Sequence, residues 1–209
     1  MKSSLTHLNQ INQLSEKGQR SYLNILKHAK EIFSLQGYDQ FSLRNIAKQA
    51  SVSLAAIQHY FPNKELLLLT LIDQEIQAYD RQWQDLLEKQ QLSSEGAEPA
   101  LIMFTDELLN LHSDPKASGF ILQFWALAHK DTRVKEKKDQ FYQSFLNKIE
   151  QTLAQTKQDL SQSERQTRAR LIASTLEGSL IFISGKKANS PDVITLKQAV
   201  RNQVIQLLN

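Results

Sequence analysis

Residues 42–67 read SLRNIAKQASVSLAAIQHYFPNKELL and hold two short helix signals, a tight turn and the start of a third helix. Ser42 is a good N-cap residue, with Leu43, Ile46, Ala47 and Ala50 at helical spacing behind it. Ser51-Val52-Ser53 interrupts that helix, and Ser53 can cap the next one. The second helix, Leu54 to His59, offers only Ile57 as a strong core residue. Two short helices joined by a turn of three or four residues make a helix-turn-helix, whose second helix can lie in the DNA major groove.

Ile46, Ala47, Val52, Ser53, Ile57, Tyr60, Phe61, Lys64, Glu65, Leu66 and Leu67 follow a fixed spacing. That pattern resembles the DNA-binding signature of the TetR/AcrR family of bacterial transcriptional regulators. The resemblance covers roughly residues 20–72, about a quarter of the chain. Three positions depart from the family's pattern. Ser51 stands where Gly is usual in the turn, Ala56 where Thr or Ser is common, and Gln58 where Tyr is common.

Charge agrees with this placement. Residues 1–64 carry 8 Lys/Arg against 3 Asp/Glu, while residues 65–209 carry 17 against 19. A net charge of +3 thus conceals a basic N-terminal segment, the footprint expected of phosphate binding. The 41% apolar content fits a globular chain, and no apolar run is long enough to span a bilayer. The N-terminus shows no long h-region, so a cytoplasmic location is expected. There is no Cys, which excludes disulfides and thiolate ligands. With only 6 Gly and 4 Pro, and long stretches rich in Leu, Ala, Gln, Glu and Lys, the composition is that of an all-α protein.

Taken in order, residues 1–18 read as a flexible arm, because Leu5, Leu8, Ile11 and Leu14 recur in strict threes and drift off a helical face. Helix 1 is expected from about Gly18 to Gln36, with Tyr22, Ile25, Leu26, Ala29, Ile32 and Phe33 as its buried stripe and Gly37 ending it. Tyr38 and Phe41 then plug the core. Helix 4 follows Asn63 as N-cap and runs toward Gln90. Residues 92–99 form a break, and helix 5 spans about Ala100 to Leu111. Helix 6 follows Pro115, Asp131 can cap helix 7, Ser163 can cap helix 8, and helix 9 runs from about Asp192. About nine helices result. The expected division is an arm over 1–18, a helix-turn-helix DNA-binding domain over 19–65, and a helical ligand-binding and dimerisation domain over 66–209.

No enzyme motif is present. HExxH, GxSxG and a phosphate-cradling glycine loop are all missing, and the 5 His are scattered, so neither catalysis, nor a metal, nor a cofactor is expected. The DNA reading rests on the faces not needed for the core. Leu54, Ala55, Ala56, Gln58 and His59 form that face of the second motif helix, with the capping Ser53 at its start. Gln can pair with adenine N6/N7, and Leu or Ala can meet thymine methyls. The resemblance implies that Arg44 reaches a base edge or phosphate, that Tyr60 and Lys64 hold phosphates, and that Ser42 does the same. Either Tyr60 or Phe61 could be core. Phe61 is assigned to it, and Tyr60 to a phosphate, because a buried Tyr needs a partner for its hydroxyl. His59 reads more simply as a surface residue.

The resemblance also implies a variable regulatory domain that takes a small ligand between helices 4 and 8. Trp83, Phe104, Phe120, Phe124, Trp125, Phe141, Tyr142, Phe145 and Leu176 are the candidates, although each alone reads more simply as core. An aromatic box suits a cation, but no single ligand follows. Helices 8 and 9 are implied to form a dimer interface through Leu176, Gly178, Leu180, Ile183, Val200, Val204 and Leu207. The expectation is a homodimeric repressor on a palindromic double-stranded operator, released by an unknown small-molecule effector, with no membrane partner. The rivals are a DNA-binding protein without ligand control and a helical partner-binding protein.

Overall fold

The first helix starts earlier than its glycine suggests. The computed structural model describes residues 14–92 and 97–209, and α1 runs Glu16–Gln36. Ser15 is its N-cap, its hydroxyl accepting from the Gly18 N–H at 3.3 Å, and Glu16 lies in the first turn where the dipole favours it. Residues 16–18 are therefore helical rather than part of an arm. A cap and an acidic first turn outweigh the low helix propensity of Gly18. Most of the arm expected over 1–18 lies outside the described residues. Tyr22, Ile25, Leu26, Ala29, Ile32 and Phe33 are all buried, as the stripe requires. Gly37 ends the helix with φ 82° and ψ 175°, its N–H donating to the Ile32 carbonyl at 3.1 Å.

A 3-10 turn, Tyr38–Gln40, leads into α2, Leu43–Gln49, and α3, Leu54–Tyr60. Ser42, Ser53 and Asn63 each cap the helix that follows, accepting from Asn45, Ala56 and Leu66 N–H groups at 3.2, 3.0 and 2.8 Å. α4 runs Lys64–Leu92, α5 Ala97–Ser113, α6 Pro115–Ala128, α7 Thr132–Thr156, α8 Gln162–Ile183 and α9 Pro191–Leu208. The described residues thus form nine α-helices and no strand. Asp131 caps α7 as expected, accepting from the Arg133 and Val134 N–H groups. The cap of α8 lies two residues before the Ser163 that its sequence suggests. Ser161 caps it instead, because Glu164 reaches back to the Ser161 N–H and closes a capping box.

The packing divides the chain into two compact units, one of residues up to Gln77 with Gly119–Lys137, the other of Ala78–Ser118 with Lys138–Asn209. This boundary follows contacts rather than roles, and it falls inside α4 rather than at residue 65. In the first unit Phe33 lies between Phe41 at 5.8 Å and Phe120 at 5.2 Å, and Phe124, Leu127 and Val134 complete the core. α6 comes very close to α1 here: a Cβ on Gly119 would stand 2.3 Å from the Ser34 carbonyl oxygen. Lys30–Glu75 and Lys137–Asp73 pairs lie around this core.

In the second unit Trp83 and Leu86 of α4, Leu101, Phe104 and Leu108 of α5, Phe145 and Ile149 of α7, and the inner faces of α8 and α9 share one core. That core corrects the expected dimer residues. Leu176, Leu180, Ile183, Val200 and Val204 are buried inside the chain itself. Leu207 is half-buried against the same core, and Gly178 meets nothing within 4 Å. The exposed apolar side chains are their neighbours Leu171, Ile181, Phe182 and Ile194. α8 is apolar on both faces, so its sequence alone does not say which face turns outward.

Candidate nucleic-acid interface

Of the seven residues of α3, only Ile57 is buried. Ile57 anchors the helix, and the two capped ends fix its length. Ser53, Ala55, Gln58 and His59 are exposed, and Leu54, Ala56 and Tyr60 are half-buried. Arg44 on α2 is exposed, while Ser42 and Lys64 are half-buried. All ten residues expected to meet DNA therefore lie in one compact unit, and none is taken up by its core. Ser42 and Ser53 spend a lone pair on capping, and each hydroxyl keeps its own O–H as a donor.

α2 and α3 are held against α1 by specific contacts. Asn24 donates from Nδ2 to the Ala50 carbonyl at 2.9 Å, which ties the end of α2 to α1. Phe61 is buried against Tyr22 with ring centres 5.0 Å apart, so its assignment to the core stands. Tyr60 packs edge-on to Tyr22 at 5.8 Å and to His59 at 5.0 Å. Its ring is thus braced by the core while the residue remains partly open. Tyr38, read in the sequence as core alone, also carries the Lys64 ammonium 4.0 Å from its ring centre. This stacking fixes a lysine at the start of α4, where a chance approach of Lys to Tyr could not be foreseen from spacing.

The turn between α2 and α3 contains a strained residue. Ser51 has φ 54°, in the left-handed region, at the position where the resemblance expects Gly. Left-handed backbone costs an L-residue roughly 1–2 kcal/mol, and Gly loses about 0.5–1 kcal/mol of that advantage through its freer unfolded chain. Ser51→Gly is predicted to stabilise the protein by about 0.5–1 kcal/mol. Chemical denaturation checks it, and a lower midpoint at unchanged slope would contradict the strain argument.

The expected ligand residues separate into two groups. Phe120 packs on Phe33 in the core of the first unit, Phe124 stacks on Phe120, and the half-buried Trp125 lies against the same core. They are not part of the aromatic cluster made by Trp83, Phe104, Phe141, Tyr142 and Phe145 in the second unit, where Leu176 is also buried. Sequence reasoning missed three groups there: Tyr79, His112 and Glu177. Tyr79 stands at the centre of the cluster, edge-on to Phe104 at 4.8 Å and Phe141 at 4.9 Å. Burial and the nearby Glu177 charge raise its hydroxyl pKa well above the ordinary value. Burial pushes the Glu177 carboxyl up to about 7, and a hydrogen bond with Tyr142 only partly offsets that. His112 is fully buried, with Nδ1 3.0 Å from the Ser179 hydroxyl, and burial with the Lys197 charge brings its pKa down to about 4. One signal was legible for Glu177. It is the single acid in LIASTLEGSLIFI, the most apolar run of α8.

Among the described residues no helix is long and apolar enough to cross a membrane. Residues 25–71 match the pattern of the bacterial regulatory proteins of the tetR family. The fatty acid metabolism regulator protein of Bacillus subtilis (strain 168) is 38% identical over 69 residues, which are 32% of this chain and 36% of that protein. The chain thus spans about a third of the length of this curated relative. The tetR-type transcriptional regulator of Legionella pneumophila has the same fold, with a TM-score of 0.72 at 20% identity over 94% of this chain and all of that one. So does the regulator FadR of Bacillus subtilis in complex with stearoyl-CoA, with a TM-score of 0.67 at 22% identity over 90% of this chain and all of that one. The sequence match to the tetR family thus lies on the capped helix-turn-helix, and beyond it the chain shares the fold of these solved regulators.

Proposed function

We propose that the chain is a DNA-binding repressor that acts as a homodimer and leaves its operator when a small molecule binds in the second unit. The observation that carries the reading is α3, a helix capped at its start that keeps one residue for the core and turns the rest outward. A helix that buries one side chain in seven gains little from its own packing, and such exposure is what a recognition helix needs. Arg44 and Lys64 supply charge beside it. The stearoyl-CoA complex of a protein with this fold supports a small-molecule effector, without naming one for this chain.

Gln58 is the residue that tests the reading. It is exposed on α3 and carries a paired donor and acceptor that fit adenine N6/N7. Sequences selected from a random duplex pool are expected to be palindromic, with one strongly preferred base pair per half-site that relaxes in Gln58→Ala by about 1–3 kcal/mol of discrimination. Failure to enrich any sequence would refute specific DNA binding. Loss of affinity with every base preference intact would reduce Gln58 to a backbone contact.

Dimerisation is proposed through the outward face of α8 and α9. Leu171, Ile181, Phe182 and Ile194 are exposed there, and Gly178 leaves room for a close neighbour. Phe182→Glu should shift sedimentation toward monomer without unfolding the chain, because residue 182 is largely exposed within it. A Phe182→Glu protein that remains dimeric would place the interface elsewhere.

A further inference from the structure

Two buried side-chain oxygens in the second unit have no hydrogen-bond partner among the described residues. The Tyr79 hydroxyl, at the end of a ring packed edge-on to Phe104, Phe141 and Phe145, is one. Oε2 of Glu177 is the other. Tyr142 hydrogen-bonds with the Glu177 carboxylate, and the Glu177 charge acts on Tyr79, so α4, α7 and α8 bring these groups into one neighbourhood. Buried polar atoms are nearly always satisfied, and an unpaired acid in an apolar core weakens the fold. Packing supplies no reason for a carboxylate between Leu176 and Gly178, in a unit that fills the surrounding positions with Leu, Ile, Phe and Trp.

We propose that Tyr79, Phe104, Phe141, Tyr142 and Glu177 form the effector site, and that the effector is an organic cation. Its protonated amine sits between the Glu177 carboxylate and the Tyr79 hydroxyl, and its apolar body lies against Phe104 and Phe141. An ammonium N–H satisfies both oxygens and neutralises the acid by a charge-assisted hydrogen bond. The faces and hydroxyls of Tyr79 and Tyr142 add attraction that a positive charge alone can use. A carboxylate ligand would add like charge to a desolvated acid. A neutral alcohol would recover a hydrogen bond but leave the charge unmatched. The Lys148 ammonium lies 5.8 Å from the Tyr79 ring centre but pairs with Asp80, and it leaves the Tyr79 hydroxyl and Glu177 Oε2 without a hydrogen bond. The effector role rests on the regulatory reading above, whereas the binding of the cation does not.

The test is calorimetric titration of the full chain at pH 8 with a graded series of alkyl- and arylammonium ions. Each is paired with the alcohol and the carboxylate of the same carbon skeleton. For at least one skeleton the ammonium ion is expected to bind on the order of tenfold or more tighter than its alcohol. Glu177→Gln should remove that preference, and Tyr79→Phe should weaken it severalfold. No ammonium preference in any skeleton, a preference kept by Glu177→Gln, or a preference for the carboxylate would each overturn the proposal. Release of operator DNA is read separately by mobility shift. Cation binding without release refutes the effector role and leaves the site standing. Release by neutral or anionic compounds, with no ammonium binding, refutes the cation and leaves the regulatory reading standing.

Discussion

Replacing Glu177 by Gln is expected to stabilise the protein by about 3 kcal/mol at pH 8 and to leave it unchanged at pH 4.5. The sign follows from burial. In the fold the Glu177 carboxyl titrates at about 7, against an ordinary value of 4.5. Below 4.5 it is protonated in both states and contributes no difference. Between 4.5 and 7 the unfolded chain loses its proton while the folded one keeps it, so stability falls as pH rises. Above 7 the full penalty is present. Part of the Glu177 side chain reaches solvent, but Oε2 itself is buried, and this atom carries the effect. His112 slopes the other way. Its folded value near 4 lies below the ordinary 6.5, so its contribution is present above 6.5 and lost as pH falls toward 4. His112 is common to both proteins, so the difference between them isolates Glu177. Urea denaturation of the two proteins from pH 4 to 8 measures it. A difference independent of pH, or a Gln variant less stable at pH 8, would refute the buried-acid argument.

Gly119→Ala is expected to destabilise the protein by about 1–3 kcal/mol. The competing term has the opposite sign, since Ala in a helix interior is favoured over Gly by about 1 kcal/mol. The clash decides which wins. The new methyl group would stand 2.3 Å from the Ser34 carbonyl oxygen and 3.1 Å from its carbon. These are backbone atoms of α1, so no rotamer change relieves them, and α6 must move away from the helix that carries the first core. Gly178 provides the control. An added Cβ there meets nothing within 4 Å of its own chain, so Gly178→Ala should gain up to about 1 kcal/mol in a monomeric Phe182→Glu background. Thermal melting of both variants checks the pair. Equal gains at the two glycines would mean that α6 and α1 do not touch at Gly119.

The helices and the outward faces of the helix-turn-helix were legible because local signals fix them. Ser42, Ser53 and Asn63 are caps by residue type, and the stripe from Tyr22 to Phe33 has helical period. α3 was legible for the opposite reason: with Ile57 its one strong core residue, the other faces had to be outside. The interior was less legible. Aromatic residues of α6 and α7 are equally apolar, yet Phe120 and Phe124 join Phe33 whereas Phe145 joins Phe104. That sorting is a matter of long-range packing, which period does not encode. The same holds for α8, where Leu180 is inside and the adjacent Ile181 outside. Glu177 and His112 escaped notice because a charged or polar residue in a helix is ordinarily on the water side, and only burial shows that these two are not.

The Lys64 ammonium resting 4.0 Å from the Tyr38 ring centre bears on where an entropy loss is entered. A lysine free in solvent gives up as much as about 2 kcal/mol of rotamer freedom when a ligand fixes it. Stacking on Tyr38 removes part of that freedom while the chain folds. The loss is then charged to the stability of the helix-turn-helix rather than to each encounter with an anion. An anion reaching the start of α4 meets a charge already in position, and the side chain is preorganised for it.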